Sequence, residues 1–130
     1  MSEESITPYQ ALGGESAVRF LCCRFYFYMN ELPEAKVIRE MHPQDLSTSE
    51  EKLFMFLSGW LGGPQLFIEK FGHPRLRARH LPFAIGEKER DQWLMCFQKA
   101  LDDLNPVEPL KSDLYRSVAR LADHMRNQQG

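Results

Sequence analysis

Gly72-His-Pro-Arg-Leu-Arg-Ala-Arg-His-Leu-Pro-Phe-Ala-Ile85 is the stretch on which the reading of this chain turns. Two prolines bracket it. Pro74 sets up a turn or two of helix from Arg75 to His80, and Pro82 halts it, because the residue before a proline avoids helical geometry. Leu76 lies one turn before His80, so the two share a face. Arg75, Arg77 and Arg79 occupy the alternate positions and cannot all face a core. An imidazole and a leucine turned inward, with arginines at the rim, suit a pocket for something both apolar and anionic.

Working outward, the same helical punctuation recurs. Thr7 and Pro8 read as an N-cap and first helical position, and Gly13-Gly14 ends that short helix. The spacing predicts a second helix over about Glu15 to Asn30, with Val18, Leu21, Cys22, Phe25 and Met29 on one face. Phe20, Tyr26 and Phe27 add bulk beside the stripe and predict burial on more than one side. Pro33 starts a short third helix carrying Val37, Ile38 and Met41, which His42-Pro43 ends. Ser47-x-x-Glu50 and Thr48-x-x-Glu51 are overlapping capping boxes before a helix expected to bury Leu53, Phe56, Leu57, Trp60 and Leu61. Gly62-Gly63-Pro64 stops it. A long helix over about Glu87 to Leu104 presents Trp93, Phe97, Ala100, Leu101 and Leu104, and Asn105-Pro106 breaks it. The last helix carries Leu110, Leu114, Val118, Leu121 and Met125. No period-2 strand and no internal repeat appear, so the expected class is all-α.

Size and composition agree with one domain spanning residues 1–130. At 130 residues, about two thirds of the unfolded surface is expected to be buried, enough for one core. The net charge of −2 supplies no basic field for nucleic acid or an anionic membrane. The most apolar stretch, Phe54 to Ile68, is too short and too interrupted to span a bilayer. The Met-Ser-Glu-Glu start has neither the positive charge nor the apolar run of a signal peptide. Cys22, Cys23 and Cys96 form neither a disulfide framework nor a zinc motif, which leads to an expectation of reduced thiols in the cytoplasm.

Among four histidines, His80 is the informative one. Haem matches the pocket its segment describes: a flat apolar macrocycle, propionates that attract Arg or Lys, and an iron that takes an imidazole. The competing reading is a packed or surface histidine among solvated arginines, and spacing alone favours it, since one-residue motifs are weak. A zinc site from His73 and His80 lacks a third ligand nearby. No GxSxG or phosphate-binding loop is present. Tyr26, His42 and Trp93 each join an apolar body to a hydrogen-bonding tip. Each alone reads as structural; together they could form a donor cluster opposite His80.

The Gly72–Ile85 segment closely resembles the proximal region of the group II (O-type) truncated haemoglobins. The resemblance runs from about Pro8 to Leu104 through several motifs in order: Tyr9-x-Ala-Leu-Gly-Gly14, Arg24-Phe-Tyr26, Glu50-Glu-Lys-Leu53, Trp60-Leu-Gly-Gly-Pro64 and Glu89-Arg-Asp-Gln-Trp-Leu94. It implies a 2-on-2 globin-like helical sandwich around haem b. By resemblance, His80 is the proximal iron ligand, and Tyr26, His42 and Trp93 are the distal donors. Ser49 falls near the position of the distal histidine of ordinary globins. Leu53 and Phe56 are implied to line the distal face; Leu76, Phe83, Ile85 and Phe97 line the haem edge and proximal side. Lys52 and Arg79 are implied propionate partners, and helix periodicity adds Met125. The implied function is reversible binding of O2 and other diatomic ligands such as CO and NO, with peroxidase-like or nitric oxide chemistry as the alternative. An unidentified reductase and a monomer or homodimer complete the expectation.

Overall fold

The computed structural model describes residues 6–129, and every regular element among them is helical. In chain order these are α1 (Pro8–Leu12), α2 (Gly14–Glu31), a 3-10 turn (Pro33–Ala35), α3 (Lys36–Glu40), α4 (Ser47–Trp60), α5 (Leu66–Phe71), α6 (Leu76–His80), α7 (Glu87–Leu104) and α8 (Leu110–His124). Helix α2 packs on α4, α7 packs on α8, and the two layers meet where α2 lies against α7. This is the expected all-α, two-over-two sandwich. No helix is long and apolar enough to cross a membrane among the described residues.

The α2 stripe explains that meeting. Val18, Leu21, Cys22, Phe25 and Met29 fall at helical spacing, and each is at most 1% exposed. Burying each of the large apolar side chains contributes about 1.5–3 kcal/mol, so a single face can hold the helix. Burial on further sides is not found for Phe20 and Phe27, which are 42% and 43% exposed. They sit at the edge of the stripe, and the Arg24 guanidinium covers the Phe27 ring at 4.3 Å. From α7, Cys96, Phe97, Ala100 and Leu101 are buried in return. At one end of the crossing, Asp103 accepts from Arg24 Nε at 2.8 Å and from the Tyr28 hydroxyl at 2.7 Å.

Two start signals have different outcomes. Thr7 caps α1: its hydroxyl accepts from the Gln10 N–H, and the Gln10 side chain accepts from the Thr7 N–H. The two capping boxes expected at α4 do not form. The helix begins at Ser47 itself, and Asp45 accepts from the Ser47 N–H at 2.9 Å. An acceptor two residues upstream has displaced both serine and threonine. Trp60 is also 37% exposed rather than buried, and it stacks on Phe56 at 6.3 Å between centroids.

The glycines after α4 form a seat for α1. The Tyr9 N–H donates to the Leu61 carbonyl at 2.9 Å. Gly62 has a φ of +92°, and a Cβ on Gly63 would stand 2.5–2.8 Å from carbons of the Tyr9 ring. Gly63→Ala is therefore expected to cost about 1–3 kcal/mol by overpacking, and Tyr9→Leu in the same chain should recover part of that cost. Urea unfolding of the two single variants and the double variant checks this; strictly additive losses would refute the contact as the cause.

Candidate functional site

Helix α6 holds His80 at its last position. His80 Nδ1 lies 2.6 Å from the Leu76 carbonyl oxygen one turn earlier. A carbonyl only accepts, so Nδ1 must carry the proton, and a neutral ring keeps its lone pair on Nε2. None of the principal interhelical contacts involves α6. Leu76, His80 and Ile85 are half-buried, and Phe83 is 39% exposed. An apolar wall with an imidazole in it is thus left without a helix packed over it.

A second histidine repeats the device. His42 Nδ1 lies 2.8 Å from the Ile38 carbonyl, again four residues back, so its neutral ring also keeps the lone pair on Nε2. Burial lowers the His42 pKa against the opposing backbone hydrogen bond, and the nearby Arg39 guanidinium adds to the lowering. His42 meets Tyr26 edge to face at 5.9 Å. Burial raises the Tyr26 pKa far above its ordinary value, so the phenol keeps its proton and can donate.

Phe25 links Tyr26 to the third polar-tipped residue. Its ring, with no exposed surface, lies 4.9 Å from the Tyr26 ring and 4.8 Å from the Trp93 ring. Trp93 is held from its other side by Phe97, nearly parallel at 5.8 Å. Phe97 is 1% exposed and Met125 9%, so both belong to the packed core, with Phe97 acting as the backing of Trp93. Leu53, Phe56 and Ser49 present half-buried surface from α4.

The rim is cationic. Lys52 Nζ lies 5.5 Å over the Phe71 ring, and the Arg79 guanidinium lies 5.2 Å over Phe67, whose ring is 4.9 Å from Phe71. Lys70 Nζ also lies 5.4 Å over the Phe71 ring, so three cations, from α4, α5 and α6, converge on one aromatic pair. Neither Lys52 nor Arg79 makes an ion pair among the described residues, and the Arg79 Nε donates instead to the Pro74 carbonyl at 2.5 Å.

Residues 7–127 match the family model for bacterial-like globins. The group 2 truncated haemoglobin YjbI of Bacillus subtilis is 36% identical over 128 residues, covering 98% of this chain and 94% of that protein. The chain belongs to the group II truncated haemoglobins. Solved structures agree. The group II 2-on-2 haemoglobin of Agrobacterium tumefaciens is 48% identical with a TM-score of 0.93 and full coverage of both chains. A cold-adapted truncated haemoglobin of Pseudoalteromonas haloplanktis is 46% identical with a TM-score of 0.92, covering 95% of this chain and 99% of that one.

Membership of this globin family implies haem binding and the binding of small diatomic ligands such as O2. The donor set fits the group: an imidazole whose Nδ1 is bonded to a carbonyl so that Nε2 is the coordinating atom, half-buried apolar neighbours, and cations close by on α4 and α6. Sequence reasoning did not find Phe25 as the wedge between Tyr26 and Trp93, nor the carbonyls of Ile38 and Leu76. The histidine four residues after an aliphatic residue, near a helix end, was the available signal for the carbonyls.

The His42 shift has a sign that can be tested. Its folded pKa lies below the ordinary value of 6.5, so between those two values the unfolded chain binds more protons and acidification lowers stability. Above the ordinary value the contribution is fully present. His42→Phe should flatten that part of the stability–pH curve, measured by urea unfolding across the window; an unchanged slope would refute the assignment.

Proposed function

We propose that this chain is an O2-binding truncated haemoglobin in which His80 Nε2 is the proximal ligand to haem b and Tyr26 and Trp93 are the distal donors. The observation that carries the reading is the hydrogen bond from His80 Nδ1 to the Leu76 carbonyl. It fixes the tautomer in which Nε2 is free to coordinate, and it holds the ring plane. Haem bound there supplies an iron with one further position for O2, CO, NO or peroxide.

The chain's own groups divide the remaining work. Lys52 and Arg79 are suited to hold the two propionates. Leu53, Phe56, Leu76, Phe83 and Ile85 supply apolar surface for the macrocycle, and Ser49 leaves room on the distal face. Phe97 and Met125 support the site from the core. The Tyr26 hydroxyl and the Trp93 indole N–H can each donate to a ligand that gathers negative charge. His42 supports a different part at neutral pH: its Nε2 is an acceptor, so it can orient the Tyr26 hydroxyl, and it becomes a donor only when protonated. Three donors are thereby replaced by two donors and an acceptor.

A hydrogen bond to a charged acceptor contributes about 1.5–3 kcal/mol, or roughly a 10- to 150-fold change in affinity. Trp93→Phe is accordingly expected to raise the O2 dissociation rate by about tenfold or more. Stopped-flow displacement by CO measures this, and an unchanged off-rate sinks the role of Trp93. Purified protein showing no Soret band after haem addition would sink the whole reading.

One observation favours a second use of the same site. A neutral His42 Nε2 lone pair beside the Tyr26 phenol is a base, able to take the proton of a peroxide O–H and return it to the departing oxygen. An external one-electron donor, delivered by a reductase, completes that chemistry. Loss of peroxide turnover in His42→Phe, with O2 binding retained, distinguishes the enzyme from the carrier. Cys22 and Cys96 are buried free thiols; burial raises both pKa values, that of Cys96 to about 11. Buried thiols of this kind stay unreactive; Cys23, on the outer face of α2, is exposed, so the expectation of inert thiols does not hold for all three.

A further inference from the structure

Helix α6 takes part in none of the principal helix packing, so another restraint must locate His80. The segment after α8 supplies it. Asn127 Oδ1 accepts from the Ile85 N–H at 2.9 Å, and Nδ2 donates to the Phe83 carbonyl at 2.8 Å and the His80 carbonyl at 3.3 Å. The Asn127 backbone N–H donates to the Ile85 carbonyl at 2.8 Å, and the Gln128 N–H shares that carbonyl at 3.1 Å. Among the described residues, Asn127 makes all the side-chain hydrogen bonds to the backbone of residues 80–85. Donor and acceptor ends of one amide are both used, so its orientation is fixed by chemistry.

The segment carrying Asn127 is itself anchored. Met125 is 9% exposed. Asp123 pairs with Arg90 of α7 at 2.6 Å and with Arg126 at 3.2 Å. From α6, Arg77 donates to the Arg126 carbonyl at 3.4 Å. The His80 carbonyl also accepts from the Phe83 N–H at 3.0 Å, closing the turn that ends α6. The Asn127 amide lies across that turn.

We propose that Asn127 is a positioning residue for the proximal ligand: it clamps the His80–Ile85 backbone to the end of α8 and thereby sets the placement of His80 Nε2. The proposal rests on the haem reading above and deepens it. Asparagine is specifically suited. Aspartate would keep the acceptor for Ile85 but set a carboxylate against two carbonyl oxygens. Alanine removes all three side-chain bonds.

The test uses the haem-loaded protein with N127A and N127D, and Q128A as a control that removes only a 3.4 Å contact to Asn127. In the ferrous, unliganded state the iron–imidazole stretching band in resonance Raman spectra should shift or broaden in N127A and N127D. Haem loss to apomyoglobin should quicken by about tenfold, the scale of one net hydrogen bond, while Q128A matches the parent. Hydrogen exchange of the Ile85 amide in the apoprotein should also quicken in N127A. A band position, haem-loss rate and Ile85 exchange equal to the parent would overturn the clamp. That outcome differs from failure of the haem reading, in which the parent chain itself shows no Soret band. If N127A does not fold, N127D carries the same spectroscopic test.

Discussion

Phe25 is the ring on which the cluster of Tyr26, Trp93 and His42 is assembled. It is fully buried where α2 meets α7, with Tyr26 at its edge on one side and Trp93 against it on the other. Aromatic contacts of this kind add about 0.5–1.5 kcal/mol each beyond burial, and they prefer defined ring geometries. A tyrosine on one helix and a tryptophan on another are thus held in register by a ring that itself does no chemistry. His42 then follows from Tyr26, against which its ring rests. These polar-tipped groups are pre-placed by the core, so in the distal role proposed for them little reorganisation would be required.

Helix α6, with the proposed proximal His80, is built on the opposite principle. It is short and takes part in none of the principal helix packing, and local bonds perform the work that core burial performs elsewhere. The Leu76 carbonyl sets the tautomer of His80, and the Asn127 amide ties down the backbone that follows it. Both histidines use a carbonyl four residues back, yet they differ in what surrounds them. His42 is set against Tyr26, and its burial, helped by the nearby Arg39, favours the neutral form; His80 lies among half-buried apolar residues.

Much of the fold was legible because helical spacing reports burial directly. Val18, Leu21, Phe25 and Met29 named the buried face of α2, and the proline pair at Pro74 and Pro82 bounded α6 to within a residue. Periodicity cannot locate the edge of a stripe, which is why Phe20, Phe27 and Trp60 were assigned to the core and lie partly in solvent. The start of α4 failed for a different reason: Asp45, Ser47 and Thr48 are all competent caps, and only the path of the preceding loop selects among them. For the site, His80, Tyr26 and Trp93 stood out as polar-tipped residues in apolar runs, and motif resemblance proposed their roles. Asn127 had no such signal. An asparagine in a polar tail has no period, and its meaning depends on a backbone segment more than 40 residues earlier.

The pair formed by Lys52 and Arg79 has a consequence for how the holoprotein comes into being. Both cations are exposed, and both are held over aromatic rings, Lys52 over Phe71 and Arg79 over Phe67. Before any anion reaches them, they give a chain of net charge −2 a local field of the opposite sign. On the proposed haem reading, such a field would act at a distance and turn a diffusing dianion so that its charged edge meets these cations first. Capture would then be guided in orientation as well as in rate, and the guidance would weaken as salt shortens the screening length.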